Sequence, residues 1–125
     1  MRRSVATITG TAAVLALGLA APAQAYDTGT AAHYTLQLAV GQRQDVRETT
    51  LVCGETAGGA HPNAARACEL IAEAGSVEAV MIDPDAICTL EYLPHEVTVS
   101  GAEEYSEVFG NKCRMTSAKG PVFDF

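Results

Sequence analysis

Apolar and polar side chains alternate over residues 33–41, HYTLQLAVG, and this alternation predicts a half-buried β-strand. One face of the strand would carry four apolar side chains, Tyr34, Leu36, Leu38 and Val40. The next segment rich in β-forming residues, VRETTLVC at 46–53, is expected to pair with it as a hairpin. Residues 54–62, GETAGGAHP, predict a loop because of their glycines and terminal proline.

Helical spacing replaces this alternation at residues 63–74. Apolar side chains recur there at i, i+3, i+4 and i+7, namely at Ala64, Ala67, Cys68 and Ile71. Glu69 and Glu73 fall on other faces, and Gly75 is a typical helix stop. Residues 63–74 are therefore predicted to form one α-helix, whereas residues 75–82 fit either a helical turn or a short strand.

Alternation returns in the last third of the chain. Residues 96–101, EVTVSG, predict a strand, and residues 103–110, EEYSEVFG, predict another. Residues 115–120, MTSAKG, predict a loop, and 121–125, PVFDF, predict a terminal strand because its two phenylalanines alternate. Strands on both sides of one helix, with no βαβ alternation, predict an antiparallel α+β domain.

Residues 1–25 have the three parts of a secretory signal peptide. Arg2 and Arg3 give a positive start, an uncharged run rich in Ala, Val and Leu follows, and a small-x-small site ends at Ala25. A retained signal anchor is the alternative, and the small-residue cleavage site argues against it. We therefore expect removal after Ala25, which leaves a secreted, extracellular domain of residues 26–125.

The charge of this mature domain excludes several classes of partner. The full chain has 8 basic and 15 acidic residues, and residues 1–25 hold two of the basic ones and no acidic one, so the mature net charge is −9. Basic surfaces bind nucleic acids and anionic membranes, so neither is expected as a partner. The mature part also has no apolar run of membrane-spanning length.

Four cysteines favour two disulfides, since an even number in a short exported chain is typical of a disulfide framework. They are Cys53, Cys68, Cys88 and Cys113. Zinc is the competing interpretation, but the chain has no C-x-x-C pair and its histidines stand singly, at His33, His61 and His95. No metal or other cofactor is therefore predicted. The count alone allows three pairings, and each bridge that closes a loop of ~15 residues or more contributes roughly 3 kcal/mol.

No set of residues indicates an enzyme. The chain lacks the G-x-S-x-G motif of serine hydrolases. Asp83 and Asp85 are expected to form a turn, and Glu103 and Glu104 to lie at a solvated hairpin end. His61, which precedes the predicted helix, is expected to make a structural hydrogen bond.

Residues 83–94, DPDAICTLEYLP, follow the period of neither a helix nor a strand. A proline near each end limits regular structure, so the segment is expected to run over the surface. Its centre has the composition of a protease substrate, in the order Ile87, Cys88, Thr89, Leu90, Glu91 and Tyr92. A disulfide through Cys88 would restrict this segment and reduce the entropy that it loses on binding. An ordinary stapled connecting loop is the alternative.

Two ordered motifs decide between these alternatives. The first, CGETAGGAHPNAARAC, has six characteristic residues, Cys53, Gly59, His61, Pro62, Ala67 and Cys68. The second, EVFGNKCRM followed by PVFDF, has eight, Val108, Phe109, Asn111, Cys113, Met115, Val122, Phe123 and Phe125. Together with the LAVG strand end and the TVSG hairpin, they span essentially the whole mature chain. The chain thereby resembles the Streptomyces subtilisin inhibitor family.

This resemblance implies an antiparallel sheet of about five strands with two helices, a homodimer packed through the sheet, and the pairing Cys53–Cys68 and Cys88–Cys113. It also implies a reversible, substrate-like inhibitor of subtilisin-type serine proteases, with chymotrypsin-like enzymes as further targets. In this family the third residue before the scissile bond is the cysteine. Leu90 would then be the P1 residue, Leu90–Glu91 the reactive bond, and Ile87 the P4 residue.

Three residues depart from the family pattern. Thr89 stands at P2, where the family often has proline, and Glu91 puts a charge at P1′, which is usually apolar. Leu93 stands where the family often has aspartate. These departures motivate a second hypothesis, an extracellular binding module on the same fold that has lost inhibition. A small secreted hydrolase is a third hypothesis, for which the sequence offers no catalytic residues.

Overall fold

A computed structural model describes residues 30–42 and 45–125 of the protein. The predicted signal peptide, residues 1–25, lies outside the described residues. The elements in chain order are β1 (Ala32–Val40), β2 (Asp45–Cys53), α1 (Ala64–Ala74), β3 (His95–Gly101), β4 (Tyr105–Phe109), α2 (Lys112–Lys119) and a 3-10 turn (Gly120–Phe123). The predicted α+β class is confirmed.

The four strands form one antiparallel sheet in the order β2-β1-β3-β4. Leu36 of β1 lies opposite Thr49 of β2 on one side and Val99 of β3 on the other. Directly opposed side chains share a face, so the alternating apolar residues of β1 and β3 form one continuous surface. Leu36 and Val97 are fully buried there, as the alternation predicts.

The two helices and the 3-10 turn cover this apolar face of the sheet. Helix α1 contributes the buried residues Ala67, Leu70 and Ile71. The helix ends at Gly75, whose φ of 93° is accessible to glycine at little cost and whose N–H donates to the carbonyl of Ile71 at 2.8 Å. The predicted helix and its stop are therefore confirmed, with α1 beginning one residue later than expected.

Two predictions for the C-terminal region are wrong. Residues 115–119, predicted as part of a loop, belong to α2, and residues 121–125, predicted as a strand, begin in the 3-10 turn, so the sheet has four strands rather than about five. Pro121 fits the start of the turn and has no N–H to offer a neighbouring strand. Val122 and Phe123 are adjacent and both buried, which strand alternation does not allow.

Candidate functional site

The longest irregular stretch between elements runs from α1 to β3, and its second half, residues 83–94, is referred to below as the exposed loop. Three apolar side chains of this loop point into water: Ile87 is 98% exposed, Leu90 95% and Tyr92 76%. Such a cluster of apolar side chains in solvent marks an interaction site. The predicted surface location of this segment is confirmed.

The segment that leads into the exposed loop, residues 82–83, is hydrogen-bonded to the second half of α2. The N–H of Ile82 donates to the carbonyl of Ala118 at 3.2 Å, and the N–H of Asp83 donates to that of Ser117 at 2.8 Å. Gly120, which follows α2, has a φ of 48°, a conformation that residues with a Cβ atom rarely adopt, so glycine is favoured there. Carbonyls at the C-terminal end of α2 therefore hold the segment that leads into the exposed loop.

A buried lysine of α2 holds the turn at residues 77–80, which precedes the exposed loop. Lys119 is 1% exposed, and its ammonium donates to the carbonyls of Val77 at 3.1 Å, Glu78 at 2.6 Å and Val80 at 3.1 Å. Burial lowers the pKa of Lys119, because the charged form is desolvated. The three carbonyls use all three donors of the ammonium, which makes its burial tolerable.

Glu103 completes this turn from the other side. Its carboxylate accepts hydrogen bonds from the N–H groups of Val77 at 2.7 Å and Glu78 at 2.9 Å. Glu103 lies at the end of the β3–β4 hairpin, as expected, but it is half-buried and bonded to two N–H groups of the turn, so the expectation that it is simply solvated is wrong. Glu104 instead accepts from the N–H of Gly101 at 3.2 Å within its own hairpin.

The two disulfides are Cys53–Cys68 and Cys88–Cys113, which is the pairing implied by the resemblance. Cys53 ends β2 and Cys68 lies in α1, so this bridge fastens the helix to the sheet. Cys88 lies in the exposed loop and Cys113 in the first turn of α2. The second bridge therefore fastens the loop to the same helix that holds the segment leading into it.

Asn111, at the start of α2, supports the exposed loop from below. Its amide nitrogen donates to the carbonyls of Thr89 at 3.0 Å and Glu91 at 2.9 Å, the two carbonyls on either side of Leu90. Its amide oxygen accepts from the N–H of Arg114 at 3.0 Å and so caps the helix. These partners fix the amide orientation, since the opposite one would set its oxygen against two carbonyl oxygens. The backbone around Leu90 is thus held while its side chain stays free.

The segment that leads from the exposed loop into β3 is fixed by backbone hydrogen bonds to its neighbours. The N–H of Leu93 donates to the carbonyl of Gly110 at 2.9 Å, and the carbonyl of Pro94 accepts from the N–H of Gly41 at 2.9 Å. The buried His95 has its Nδ1 2.8 Å from the carbonyl of Leu93. Because a carbonyl only accepts, Nδ1 of His95 carries the hydrogen.

The six central residues of the exposed loop, 87–92, thus lie on one stretch of backbone that hydrogen bonds and a disulfide hold in place. The residues that sequence reasoning missed are Asn111, Lys119 and His95 in their supporting roles. Asn111 stood in a recognised motif, and an asparagine immediately before a helix is a typical cap. The two helices implied by the resemblance are confirmed, but residues 115–119 are predicted as a loop, so the sequence pattern does not show that Asn111 precedes a helix.

Other candidate residues have structural roles. Asp83 accepts from the N–H of Asp85 at 3.2 Å, so the expected turn is confirmed. His61 is buried, accepts from the N–H of Asn63 at 2.9 Å and donates to the carbonyl of Val122 at 2.9 Å, so its structural hydrogen bonding is also confirmed. Within residues 30–42 and 45–125, no three His, Cys, Asp or Glu side chains come together as metal ligands. The described helices include none with the length and apolar character to span a bilayer.

Comparisons with known proteins give one consistent result. A family model described as subtilisin inhibitor-like matches residues 30–111. A subtilase-type protease inhibitor of Streptomyces coelicolor is 37% identical over 125 residues, which cover 90% of this chain and 83% of that protein. A subtilase-type protease inhibitor of Streptomyces fradiae is 34% identical over 139 residues, which cover 98% of each.

A solved structure is also similar to this fold. It is the crystal structure of Streptomyces caespitosus sermetstatin in complex with Bacillus licheniformis subtilisin. The match has a TM-score of 0.60 and 26% sequence identity, and it covers 76% of this chain and 99% of that chain.

Proposed function

The chain belongs to the subtilisin inhibitor-like family, and we propose that it inhibits subtilisin-type serine proteases by presenting the exposed loop as a substrate. The proposed reactive bond is Leu90–Glu91. The observation that carries the proposal is the 95% exposure of Leu90 between two carbonyls that are both bonded to Asn111. A side chain so exposed on a backbone so constrained is suited to enter a pocket of a partner.

Preorganisation explains why such a loop inhibits rather than serves as a substrate. The loop is already ordered by α2, so little conformational entropy is lost when it enters the protease cleft. After cleavage, Asn111 and the disulfide of Cys88 would keep the new amine beside the acyl group. Intramolecular proximity of this kind strongly favours religation over attack by water. The bound state therefore persists even though the bond can be cut.

Subsite preferences follow from the exposed apolar side chains. Leu90 would fill an apolar S1 pocket, and Ile87, three residues earlier, would occupy S4. Subtilisin-type enzymes are therefore the proposed principal targets, and chymotrypsin-like enzymes with an apolar S1 pocket are further ones. The alternative function, binding without inhibition, is favoured by one observation, the charged side chain of Glu91 next to the proposed bond.

Titration of subtilisin and trypsin with the purified mature protein tests this function. We expect a stoichiometric endpoint with subtilisin and poor inhibition of trypsin. Leu90→Lys should add trypsin inhibition, because the lysine pairs with the aspartate of the trypsin S1 pocket. Leu90→Gly should weaken binding to subtilisin by roughly 3 kcal/mol, about a hundredfold in the inhibition constant, because a buried anchor is lost.

Met81→Ala is the matched control, since Met81 is also an exposed apolar residue but lies outside the proposed contact. It should leave the inhibition constant unchanged. Tight inhibition of trypsin by the unmutated protein would contradict the assignment of Leu90. Absence of any endpoint with subtilisin would instead support the binding-module alternative.

Secretion is part of the same proposal. The signal peptide proposed for residues 1–25 would deliver the mature domain, residues 26–125, outside the cell. Disulfides persist in the oxidising environment outside the cell. One bridge of this domain fastens the exposed loop to α2, and the other fastens α1 to the sheet. The proposed site of action is therefore extracellular.

We also propose a homodimer packed through the sheet. The face of the sheet opposite the helices carries a row of four directly opposed residues, one from each strand: Val46, Ala39, Glu96 and Val108. Val46 and Val108 are exposed in the single chain. Three of these four residues are apolar, and a sheet face of this kind, which no described helix covers, is suited to an isologous contact, the commonest kind in homodimers.

Sedimentation equilibrium of the mature protein at micromolar concentration should give about twice the monomer mass. Val46→Lys should shift the protein toward the monomer, because two related copies would place like charges in one interface. Glu55→Lys, at an exposed position on a loop outside the sheet, is the control for the added charge. A monomeric unmutated protein would contradict the proposed dimer and leave inhibition untouched.

A further inference from the structure

We propose that Glu91 is a specificity-determining residue, which selects proteases that present a lysine or arginine beside the S1′ pocket. This inference rests on the proposed function, because Glu91 occupies P1′ only if Leu90–Glu91 is the reactive bond. It goes further in naming a chemical property of the target on the leaving-group side of that bond.

The position of Glu91 is fixed by its own backbone. Its carbonyl accepts from the amide of Asn111 at 2.9 Å, and two residues later the N–H of Leu93 donates to the carbonyl of Gly110 at 2.9 Å. These hydrogen bonds hold the backbone at Glu91, so its Cβ stays beside the proposed reactive bond. The side chain of Glu91 is exposed and adjoins Leu90 in the chain, so a protein that binds Leu90 can reach it.

Glu91 forms no ion pair within the described part of the inhibitor, although Arg114 lines the same shallow surface depression. Among the described residues, the carboxylate of Glu91 has no hydrogen bond and no ion pair, and only its backbone carbonyl is bonded. Arg66 pairs with Glu69 on α1 and is therefore not a partner of Glu91. The exposed loop contains three acidic residues and neither lysine nor arginine. The mature domain has 6 basic and 15 acidic residues, a net charge of −9, so its long-range field does not favour the carboxylate either.

Complex formation should make the affinity depend on whether the carboxylate of Glu91 finds a partner. The residue after the scissile bond is covered by the protease, so Glu91 would lose water on binding. A carboxylate that loses water without gaining a partner is strongly unfavourable, whereas a lysine or arginine of the protease would form a charge-assisted hydrogen bond with it. Glu91 therefore acts in both directions: it disfavours apolar or acidic S1′ surroundings and favours basic ones.

The test uses two enzymes and two inhibitors in a double-mutant cycle. The enzymes are subtilisin and a subtilisin variant with one lysine introduced at the rim of the S1′ pocket. The inhibitors are the unmutated mature protein and Glu91→Gln, which keeps the shape of the side chain and removes its charge. Inhibition constants are measured for all four pairs at low and at high salt.

Glu91→Gln should tighten inhibition of unmodified subtilisin by roughly tenfold and weaken inhibition of the lysine variant by roughly tenfold. High salt should reduce the association rate of the unmutated protein with the lysine variant, because the attraction between the charges is screened. Glu55→Gln makes the same change in net charge at an exposed position far along the chain from the loop, and it should alter the ratio between the two enzymes by less than about twofold.

The outcomes separate this inference from the proposed function. If both enzymes are inhibited and the ratio between them does not depend on residue 91, the selective role of Glu91 is overturned and the inhibitor function stands. If neither inhibitor inhibits either enzyme, the proposed function and this inference are overturned together. Opposite shifts of the two enzymes with Glu91→Gln, and none with Glu55→Gln, would support the proposal.

Discussion

Prolonged incubation with a catalytic amount of subtilisin should cut the Leu90–Glu91 bond of the mature protein without releasing a fragment. Cys88 lies on the amino-terminal side of this bond and Cys113 on the carboxyl-terminal side, and the two are joined by a disulfide. A denaturing gel should therefore show one band without reductant and two bands with it. The smaller fragment should begin at Glu91. This pattern tests the position of the bond and the tether at once.

Removal of the tether should convert the inhibitor into a substrate. In the double variant Cys88→Ala/Cys113→Ala the exposed loop keeps its hydrogen bonds to α2 but loses its covalent attachment. The bridge spans a sequence separation of 25 residues, so its loss costs about 3.5 kcal/mol of stability in the chain-entropy model. The loop also gains freedom, so the new termini separate and religation loses its advantage. Inhibition of subtilisin should become transient, with progressive recovery of protease activity.

The second disulfide supplies a matched control. Cys53→Ala/Cys68→Ala removes a bridge with a sequence separation of 15 residues, at a cost of about 3 kcal/mol. It leaves the exposed loop tethered to α2. This control should inhibit durably at temperatures where it is folded, as judged by circular dichroism. Equal loss of inhibition in both double variants would mean that the bridges act through global stability alone. A first cut outside residues 87–92 would refute the assigned bond.

The strands and the first helix could be predicted because their patterns are local. In β1 and β3 the buried residues alternate with half-buried ones, so each strand shows its inner face directly in the sequence. In α1 the buried residues recur at helical spacing and a glycine ends the helix. The exposed loop could be located by its two prolines and by the lack of any period.

The resemblance implies a second helix, but the position of α2 could not be predicted from the residue pattern, because the stability of α2 comes from distant parts of the chain. Met115 is its one large apolar residue, and its inner face also carries Lys119. A lysine is rarely buried unless its charge finds partners. Here the partners are carbonyls of Val77, Glu78 and Val80, which are 39 to 42 residues away in the sequence. No pattern within the eight residues of α2 reveals that these carbonyls converge on the ammonium.

The same reason explains which parts of the site were visible in the sequence. The composition of residues 87–92 and the family motifs indicate the proposed contact segment, because those signals are contiguous. The support of that segment by Asn111 depends on contacts across 20 and 22 residues and on where α2 begins. A helix cap and a loop support are thus combined in one side chain, and only the folded chain makes the second role apparent.

Replacement of Asn111 should separate loop support from helix capping. Asn111→Ala removes both, so it should raise the inhibition constant for subtilisin by roughly a hundredfold, because the carbonyls of Thr89 and Glu91 lose their donor and the loop loses its order. Asn111→Asp keeps an oxygen to cap α2 at the N–H of Arg114. It also sets a carboxylate against the carbonyls of Thr89 and Glu91, which repels the loop.

The two variants should therefore rank differently in two measurements. In urea unfolding, Asn111→Asp should keep the roughly 1 kcal/mol that a cap contributes and that Asn111→Ala loses. In subtilisin assays, Asn111→Asp should inhibit no better than Asn111→Ala, and both should be hydrolysed at the Leu90–Glu91 bond faster than the unmutated protein. Inhibition that followed the unfolding free energy across the three proteins would show that Asn111 acts only as a cap. A full inhibitor with aspartate at position 111 would rule out the amide as the group that holds the loop, because a carboxylate has no hydrogen to donate to the two carbonyls.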